Sequence, residues 1–484
     1  MPRYPAYISN LLCWLAIGAF VLLYTGQAQT RVAPDQYVVR TVQILGNKVT
    51  KDYIIEREVS FKEGSILSQT AIDSLLEAET YKLINTDLFQ RQGTFITYTE
   101  LGAQEIAITI VVSEKWYTWP LPVFEIADRS INEWIRNRGA SLDRVNLGID
   151  FLRRNFRGRN ETLELSVKRG FRNQYRVVYR IPFIDKAKTI GLHFLADISE
   201  FSNPDFAIRN NRGVALEREI GEDVGNNLRV TQRVVLGLSK RNKYYFSHGV
   251  QVAFLGEQID SLLFNENRDY LATGTLRQRA IALSYQATYN KTDFVTYPTK
   301  GHIITGALTQ EGIGVFNDVF VTSLSAAGAY YVPLTKRFFH AIGFRGVASL
   351  QRDQSYNQLR RFGFNGNIVR GYDESTGLAL SGFIFQNTFR FKMLDDKLTL
   401  PRFVPRQFRT VPISIYPKVY VDRGYFYLPD PDPTNTLVNE QLLGYGFGFD
   451  LVSFYNSVAR FEWSANIQDR KLSPFPFFYF TLSI

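Results

Sequence analysis

The residues best suited to chemistry lie in one glycine-rich segment, 361–372, which reads Arg-Phe-Gly-Phe-Asn-Gly-Asn-Ile-Val-Arg-Gly-Tyr. The guanidinium of Arg370 presents donors in a planar fork that can bind a carboxylate through two parallel hydrogen bonds. That chemistry is binding rather than bond breaking. The same composition is also typical of a solvated surface loop, so the segment has to be interpreted from the elements around it.

Catalytic patterns are missing from the sequence. It contains no G-x-S-x-G, no H-E-x-x-H and no phosphate-binding loop motif. A single cysteine, Cys13, excludes a disulfide scaffold, a cysteine-based zinc site and an iron–sulfur cluster. The histidines are scattered over different predicted strands: His193, His248, His302 and His340. We therefore expect no enzyme, no cofactor and no metal; a barrel lipase with a Ser–His pair is the enzymatic alternative.

Length and composition limit the class of protein. A chain of 484 residues is too long for one average domain. With 45% hydrophobic and 21% charged residues it is not a disordered composition. A mean hydropathy of -0.14 is too polar for a multi-helix membrane protein and suits residues that alternate between two environments. The net charge of +10 is spread without a basic stripe, so nucleic acid is not an expected partner.

The N-terminal segment 1–28 has the pattern of a secretory signal peptide. Arg3 supplies the positive end, Leu11–Leu23 the apolar core and Gly26-Gln27-Ala28 the small-residue cleavage pattern. A single transmembrane helix is the alternative, but the core is short for a span of roughly 20 residues. Cleavage would remove Cys13 and leave a chain without thiols.

Residues 35–115 predict a small α/β domain. The apolar residues of its longer helix fall on one face, and its strands are β-branched and alternating. The order β-α-α-β-β predicts one compact unit with its own core. The expected elements are strands at 37–45, 94–99 and 105–112 and helices at 50–59 and 68–84.

From Leu142 to the C-terminus, short runs of strict alternation replace the helices. In Thr162–Lys168 and Phe461–Ile467, apolar residues alternate with polar and charged ones. Runs of about ten residues match a tilted membrane strand. Charges on the second face suit a water-filled lumen, whereas the core of a soluble sandwich would exclude them. Strands that span a membrane must close so that every backbone group is paired.

We therefore predict a transmembrane β-barrel over 142–484, preceded by a linker at 116–141. Candidate strands number about sixteen and are antiparallel; one of them lies at 210–220. The first is expected near Leu142–Phe151 and the last near Phe475–Ile484. One long excursion, 352–377, contains Arg370, and loops of this length are usually functional or mobile. The fold class is thus an α+β domain followed by an all-β barrel.

The N-terminal domain resembles a POTRA domain. The residues that carry this resemblance are Ile44-Leu45-Gly46-Asn47, Arg57-Glu58, Gly64, Leu88-Phe89 and Ile106–Glu114. A POTRA domain presents a sheet edge that can take an extended client as an additional strand. A spacer that holds the barrel away from the periplasm is the alternative role.

The barrel resembles the BamA/TamA-like superfamily of outer-membrane assembly and secretion barrels, of the bacterial surface antigen type. Val369, Arg370, Gly371 and Tyr372 match its V-R-G-[FY] signature. Tyr420, Asp422 and Gly424 match its [FY]-x-D-x-G strand motif, and Asp293, Pro298 and Gly301 match its D-x-x-x-x-P-x-x-G turn motif.

This resemblance implies that the 352–377 loop folds back into the lumen and that its arginine contacts acidic residues on the barrel wall. Asp422 is the best candidate in the sequence for the partner of Arg370. A bidentate ion pair would hold the long loop in place. The alternative is that Asp422 only caps its strand before the turn at Gly424.

Three functions remain open. In the first, the protein assembles and inserts other outer-membrane β-barrels through a weak seam between its first and last strands. In the second, it is a two-partner secretion pore gated by the 352–377 loop. The third is a passive porin, against which the POTRA-like domain and the Val369–Tyr372 motif argue. The expected location is the outer membrane of a Gram-negative bacterium, with the N-terminal domain in the periplasm.

The expected partners are unfolded outer-membrane protein clients, the lipid bilayer and accessory periplasmic proteins or lipoproteins. Two departures from the resemblance leave the branch of the superfamily open. There is room for one POTRA domain, whereas the central assembly protein typically has five and the secretion branch two. The last residue is Ile484 in place of the usual Phe.

Overall fold

The computed structural model describes residues 35–128, 131, 133–216, 227–362, 368–404, 409–453, 457–474 and 476–481. These residues form an N-terminal α/β domain and a closed β-barrel. The predicted signal peptide at 1–28 lies outside the described residues. In the part of the chain that the structure describes, no helix is long and apolar enough to cross a membrane.

The N-terminal domain is a four-stranded sheet covered by two helices. The sheet order is β2-β1-β4-β3, with β1 and β4 parallel and the outer strands antiparallel. Ile106, Ile108 and Ile110 alternate on the inner face of β4 and are fully buried together with Leu83 of the longer helix. The elements are β1 Gln36–Leu45, α1 Asp52–Glu56, β2 Ile66–Ser68, α2 Ile72–Asn85, β3 Phe95–Gly102 and β4 Glu105–Val111.

The barrel contains seventeen strand segments in a closed antiparallel order. Two of them, β20 and β21, follow one another along the same neighbour β22, so the barrel has sixteen strand positions. The segments are β5 Thr118–Ile126, β6 Val145–Phe156, β7 Glu161–Gly170, β8 Arg172–Ile181, β9 Ile190–Phe201, β12 Arg229–Asn242, β13 Phe246–Ile259, β14 Arg277–Thr292, β15 Gly301–Glu311, β16 Val321–Pro333, β17 Phe338–Ser349, β20 Ser381–Phe391, β21 Leu394–Thr399, β22 Thr410–Tyr427, β23 Gln441–Val452, β24 Val458–Asn466 and β25 Phe477–Thr481.

Short elements outside the barrel wall belong to its connections. Two small hairpins and one helix lie in the long loops, and two helical turns precede β6. They are the hairpin β10 Asp205–Arg209 with β11 Arg212–Ala215, the hairpin β18 Arg360–Phe362 with β19 Gly377–Ala379, the helix α3 Ser261–Glu266, a π-helical turn Glu133–Asn137 and a 3-10 turn Leu142–Arg144.

Two sequence predictions about the barrel are wrong. The predicted linker 116–141 contains the first barrel strand, β5, so the barrel does not begin at Leu142. This strand is not predicted from the sequence because it contains Pro120 and Pro122, and proline argues against any strand that is not at an edge. The candidate at 210–220 contributes β11, which pairs only with β10 outside the wall. The predicted number of strands was right because one omission and one addition cancel.

Alternation along the strands separates an outer face from an inner face. In β22, Val419 and Val421 are 56% and 46% exposed on the outside of the barrel. The intervening residues Tyr420 and Asp422 are 3% and 0% exposed and point into the barrel. The period of two therefore places apolar side chains toward lipid and polar ones toward the lumen, as predicted from the sequence.

The N-terminal domain packs against four successive turns at one end of the barrel. These turns follow β6, β8, β12 and β14. The aromatic ring of Phe183, in the turn after β8, belongs to the hydrophobic core of the N-terminal domain. The polar contacts are Thr50 Oγ1 with Asn155 Nδ2 at 2.9 Å, Tyr53 O with Lys188 Nζ at 3.2 Å, Glu58 Oε1 with Arg241 Nη1 at 2.9 Å, and Asp293 O with Asn85 Nδ2 at 3.0 Å.

Candidate functional site

The motif Val369–Tyr372, which we call the latch, lies inside the barrel. Its chain leaves the wall after β17 and returns at β20. Val369 and Tyr372 are buried in a cluster with Phe426 of β22 and Leu442 of β23. The latch is thus held against the inner wall by apolar packing on both sides of its arginine.

The guanidinium of Arg370 contacts four residues of the barrel wall. Its Nε and Nη2 donate to the two carboxylate oxygens of Asp422 at 2.7 Å and 2.6 Å, in the bidentate geometry expected for arginine and a carboxylate. Nη1 donates to Glu462 at 3.2 Å and Nη2 to Thr388 at 3.0 Å. The guanidinium carbon lies 3.7 Å from the ring centroid of Tyr420, a cation–π contact. The structure therefore brings Arg370, Asp422 and Tyr420 into one site.

The wall behind Arg370 contains a buried ion network. Lys418 Nζ lies 2.6 Å from Glu462 Oε1 and also contacts Asp450, and Arg460 lies 3.9 Å from Asp450. Asp422, Asp450 and Glu462 are thus three acids that face only two bases on the wall. Arg370 supplies the third positive charge. Removing the latch would leave an unbalanced negative charge in a buried site, which is costly.

Glycines allow the latch to approach the wall closely. Gly371 has a φ of +100°, a conformation that favours glycine, and a Cβ there would lie 2.5 Å from the carbonyl oxygen of Ala465. A Cβ at Gly424 would lie 2.4 Å from a methyl group of Val369. A Cβ at Gly444 would lie 1.6 Å from the carbonyl oxygen of Arg370. Gly371 and Gly424 were expected site residues; Gly444 was not.

The third motif lies away from the latch, in the turn between β14 and β15. Asp293 Oδ1 accepts hydrogen bonds from the backbone amides of Phe294 and Thr299, both at 2.9 Å, and so closes the turn. Gly301 has a φ of +101° where the turn enters β15. The carbonyl oxygen of Pro298 accepts a hydrogen bond from Arg390 at 3.2 Å. The motif residues therefore shape a turn and do not touch Arg370.

Sequence reasoning missed several residues of the latch site. Among them are Thr388, Lys418, Gly444, Asp450 and Glu462. A signal for two of them was present, because Lys418 and Asp450 are charged residues on the inner face of predicted strands. Alternating Gly444, Gly446 and Gly448 in one strand was a signal for close backbone approach.

The seam between β5 and β25 is a second candidate site. The backbone N–H and C=O groups of the odd-numbered residues around β5 form the hydrogen bonds to β6. For example, the amide of Ala127 donates to Arg144 O, and Tyr117 O accepts from the amide of Arg154. The backbone N–H and C=O groups of the even-numbered residues of β5 therefore point toward β25, its other neighbour in the barrel. Two of these five are Pro120 and Pro122, which have no N–H to donate.

The last strand is also short where the structure describes it. β25 pairs with β24 over five residues, from Val458↔Thr481 to Glu462↔Phe477. In comparison, β22 and β23 pair over twelve residues. At the far end of β24, the amide of Ser473, in the segment before β25, donates to Ser464 O at 2.8 Å. On the side that faces the seam, β5 therefore offers fewer backbone donors than a strand of the same length without proline.

Two family models match the sequence. Residues 37–115 match the POTRA model, described as a surface antigen variable number repeat, and residues 155–379 match the Omp85 superfamily domain. No curated protein matches the chain.

Several solved structures share the fold. BamA from Haemophilus ducreyi lacking POTRA domains 1-3 is 13% identical, with a TM-score of 0.52 over 92% of this chain and 84% of that one. CdiB from Escherichia coli is 12% identical, with a TM-score of 0.55 over 92% of this chain and 75% of that one. CdiB from Acinetobacter baumannii is 14% identical, with a TM-score of 0.51 over 93% and 74%.

The fold and the two matches define the class of protein: an outer-membrane β-barrel with a POTRA domain ahead of it. The chain thus contains an Omp85 superfamily domain at 155–379 and a POTRA domain at 37–115, which confirms the resemblance seen in the sequence. Members of this superfamily are outer-membrane proteins whose POTRA domains lie in the periplasm, and they handle protein substrates.

Proposed function

We propose that this protein assembles other β-barrel proteins into the outer membrane by opening the seam between β5 and β25. An open seam presents unpaired backbone groups, on which an unfolded client can form its first strand. No nucleotide is expected outside the inner membrane, so the folding of the client would supply the free energy. Its partners would be unfolded barrel clients and lipid, together with accessory periplasmic proteins or lipoproteins.

The observation that carries this proposal is the pair of prolines on the seam edge of β5. An interior ladder uses every N–H and C=O group, and lipid offers no substitute for a missing bond. Pro120 and Pro122 remove two of the five donors with which β5 could hold β25. The seam is therefore the place where the barrel would open at the lowest cost.

Two features favour insertion over passage of a client through the lumen. The latch occupies the inner wall, and the POTRA domain is bound to four turns at the periplasmic end of the barrel. Passage through the lumen requires both to move. Opening the seam requires neither to move.

A two-partner secretion pore gated by the 352–377 loop is the second candidate. What favours it is that Arg370 holds the latch through polar contacts, which a passing polypeptide could replace. In that case the client would displace the latch and leave through the lumen. The predicted signal peptide at 1–28, which would direct the chain to the periplasm, is part of either proposal.

Replacing both prolines by valine should slow client insertion. Pro120→Val with Pro122→Val restores two N–H donors at the seam, and each hydrogen bond contributes about 0.5–1.5 kcal/mol. We expect the insertion rate of a client barrel into proteoliposomes containing the variant to fall roughly tenfold. Pro333→Val in β16, on the opposite side of the barrel from the seam, is the control and should leave the rate unchanged. An unchanged or faster rate in the seam variant would contradict the proposed mechanism.

A further inference from the structure

The turn 293–300 is attached to the POTRA domain. Asn85, at the end of α2, donates to Asp293 O at 3.0 Å and accepts from the amide of Val295 at 3.1 Å. Tyr81 of α2 packs edge-on against Phe294, with ring centroids 5.1 Å apart. A movement of α2 relative to the barrel would therefore pull on this turn directly.

The same turn sends one side chain into the barrel. Tyr297 is 6% exposed, and its hydroxyl donates to Asp450 Oδ2 at 2.9 Å. Its ring lies between Tyr416, with centroids 4.8 Å apart, and the guanidinium of Arg390, 4.7 Å from the ring centroid. Tyr297 is thus fixed in place by a carboxylate of the latch network rather than by its own turn.

The contacts continue without a gap to the latch. Asp450 and Glu462 share Lys418, whose Nζ lies within hydrogen-bond distance of both. Glu462 in turn accepts from Arg370 at 3.2 Å. A single chain of side-chain contacts therefore runs from α2 of the POTRA domain to the arginine of the latch.

We propose that Tyr297 is a positioning residue that couples the POTRA domain to the latch. When the POTRA domain is in the position seen here, Tyr297 donates to Asp450 and leaves Lys418 free to neutralise Glu462 as well. When a bound client shifts α2, the turn withdraws Tyr297, and Asp450 takes a larger share of Lys418. Glu462 is then neutralised less by Lys418 and attracts Arg370 more strongly, so the latch leaves the wall less often.

This coupling goes beyond the proposed function and does not depend on it. It concerns only the equilibrium of the latch, which both an insertion factor and a secretion pore would need to control. Its test therefore measures the position of the latch and no transport activity. A double-mutant cycle measures whether two residues act along one path, so it is the test of this coupling.

The reporter is a cysteine beside the latch. Ser375→Cys is placed in a Cys13→Ser chain, and its rate of maleimide labelling is measured in the folded barrel in detergent micelles. Four proteins are compared: the reporter chain alone, with Asn85→Ala, with Tyr297→Phe, and with both changes. Asn85→Ala removes the hydrogen bonds that attach the turn to α2, whereas Tyr297→Phe keeps the buried ring and removes only the hydrogen bond to Asp450.

Each single change should lower the labelling rate by a factor on the order of five to ten, the effect of one hydrogen bond to a charged group. The double variant should label no more slowly than Tyr297→Phe alone, because the path from Asn85 is then already broken. Tyr289→Phe, which removes a hydroxyl from a residue 37% exposed, should have no effect. The proposal is overturned if the two effects multiply, or if either single change leaves the rate unaltered.

Discussion

A disulfide that joins β5 to β25 is expected to abolish the insertion of client barrels, and its reduction is expected to restore the activity in full. The proposed mechanism requires these two strands to separate, and a covalent bond between them prevents it. Cysteines can be introduced one at a time along Leu121–Phe124 and along Phe477–Tyr479. Cysteine pairs that oxidise spontaneously are the pairs that lie opposite each other across the seam, because a disulfide forms only when the Cα atoms are about 4.4–6.8 Å apart.

The control for this lock is a disulfide between strands that stay together. Val421 of β22 and Tyr445 of β23 are direct partners in the register, and a bond between them should leave insertion unchanged. The only native cysteine, Cys13, lies in the predicted signal peptide and should not interfere. A seam-locked barrel that inserts clients at the full rate would rule out lateral opening and leave the lumen as the route.

The second large effect is expected from reversing the charge of Arg370. Arg370→Asp puts a third carboxylate beside those of Asp422 and Glu462, where the wall needs a positive charge. Breaking a buried ion pair costs about 3–5 kcal/mol, which corresponds to a change on the order of a hundredfold to several thousandfold in the occupancy of the latch. Asp422→Arg should have a similar effect, because Arg370 then meets another cation. Protease digestion of the 352–377 loop measures the release.

Combining Arg370→Asp with Asp422→Arg should restore much of the protection of the loop. The rescue is expected to be partial, since Glu462 also contacts Arg370 and would face the new aspartate. Arg423→Asp is the matched control: it reverses a charge next to Asp422, but on the opposite face of β22. If the double variant is digested as fast as the single ones, the Arg370–Asp422 pair does not hold the latch.

The sequence predicted the architecture because its two main signals are local. Alternation with a period of two is present in each barrel strand, as in Thr162–Lys168, and requires no knowledge of the neighbouring strand. The Arg370 segment was recognisable from four adjacent residues. Its partner Asp422 could be proposed because it belongs to a second local motif, and the structure brings the two together.

The features that could not be predicted from the sequence depend on the register between strands and on which edge of a strand faces which neighbour. Lys418, Asp450 and Glu462 meet only because β22, β23 and β24 pair with one particular offset, which alternation does not specify. The sequence predicts a linker where β5 lies, because Pro120 and Pro122 interrupt the pattern that is typical of a strand. The sequence does not show that those prolines lie on the edge of the barrel that faces the seam. Tyr297 lies within the turn motif Asp293–Gly301, and its contact with Asp450 is visible only in three dimensions.

The most direct measurement of the central claim is quantitative proteomics of the outer membrane and of the medium after depletion of this protein. The seam mechanism predicts a broad fall in the abundance of integral β-barrels, with the loss beginning before growth slows. Loss of one or a few secreted proteins from the medium, with the barrels intact, would contradict insertion and identify the protein as a secretion pore.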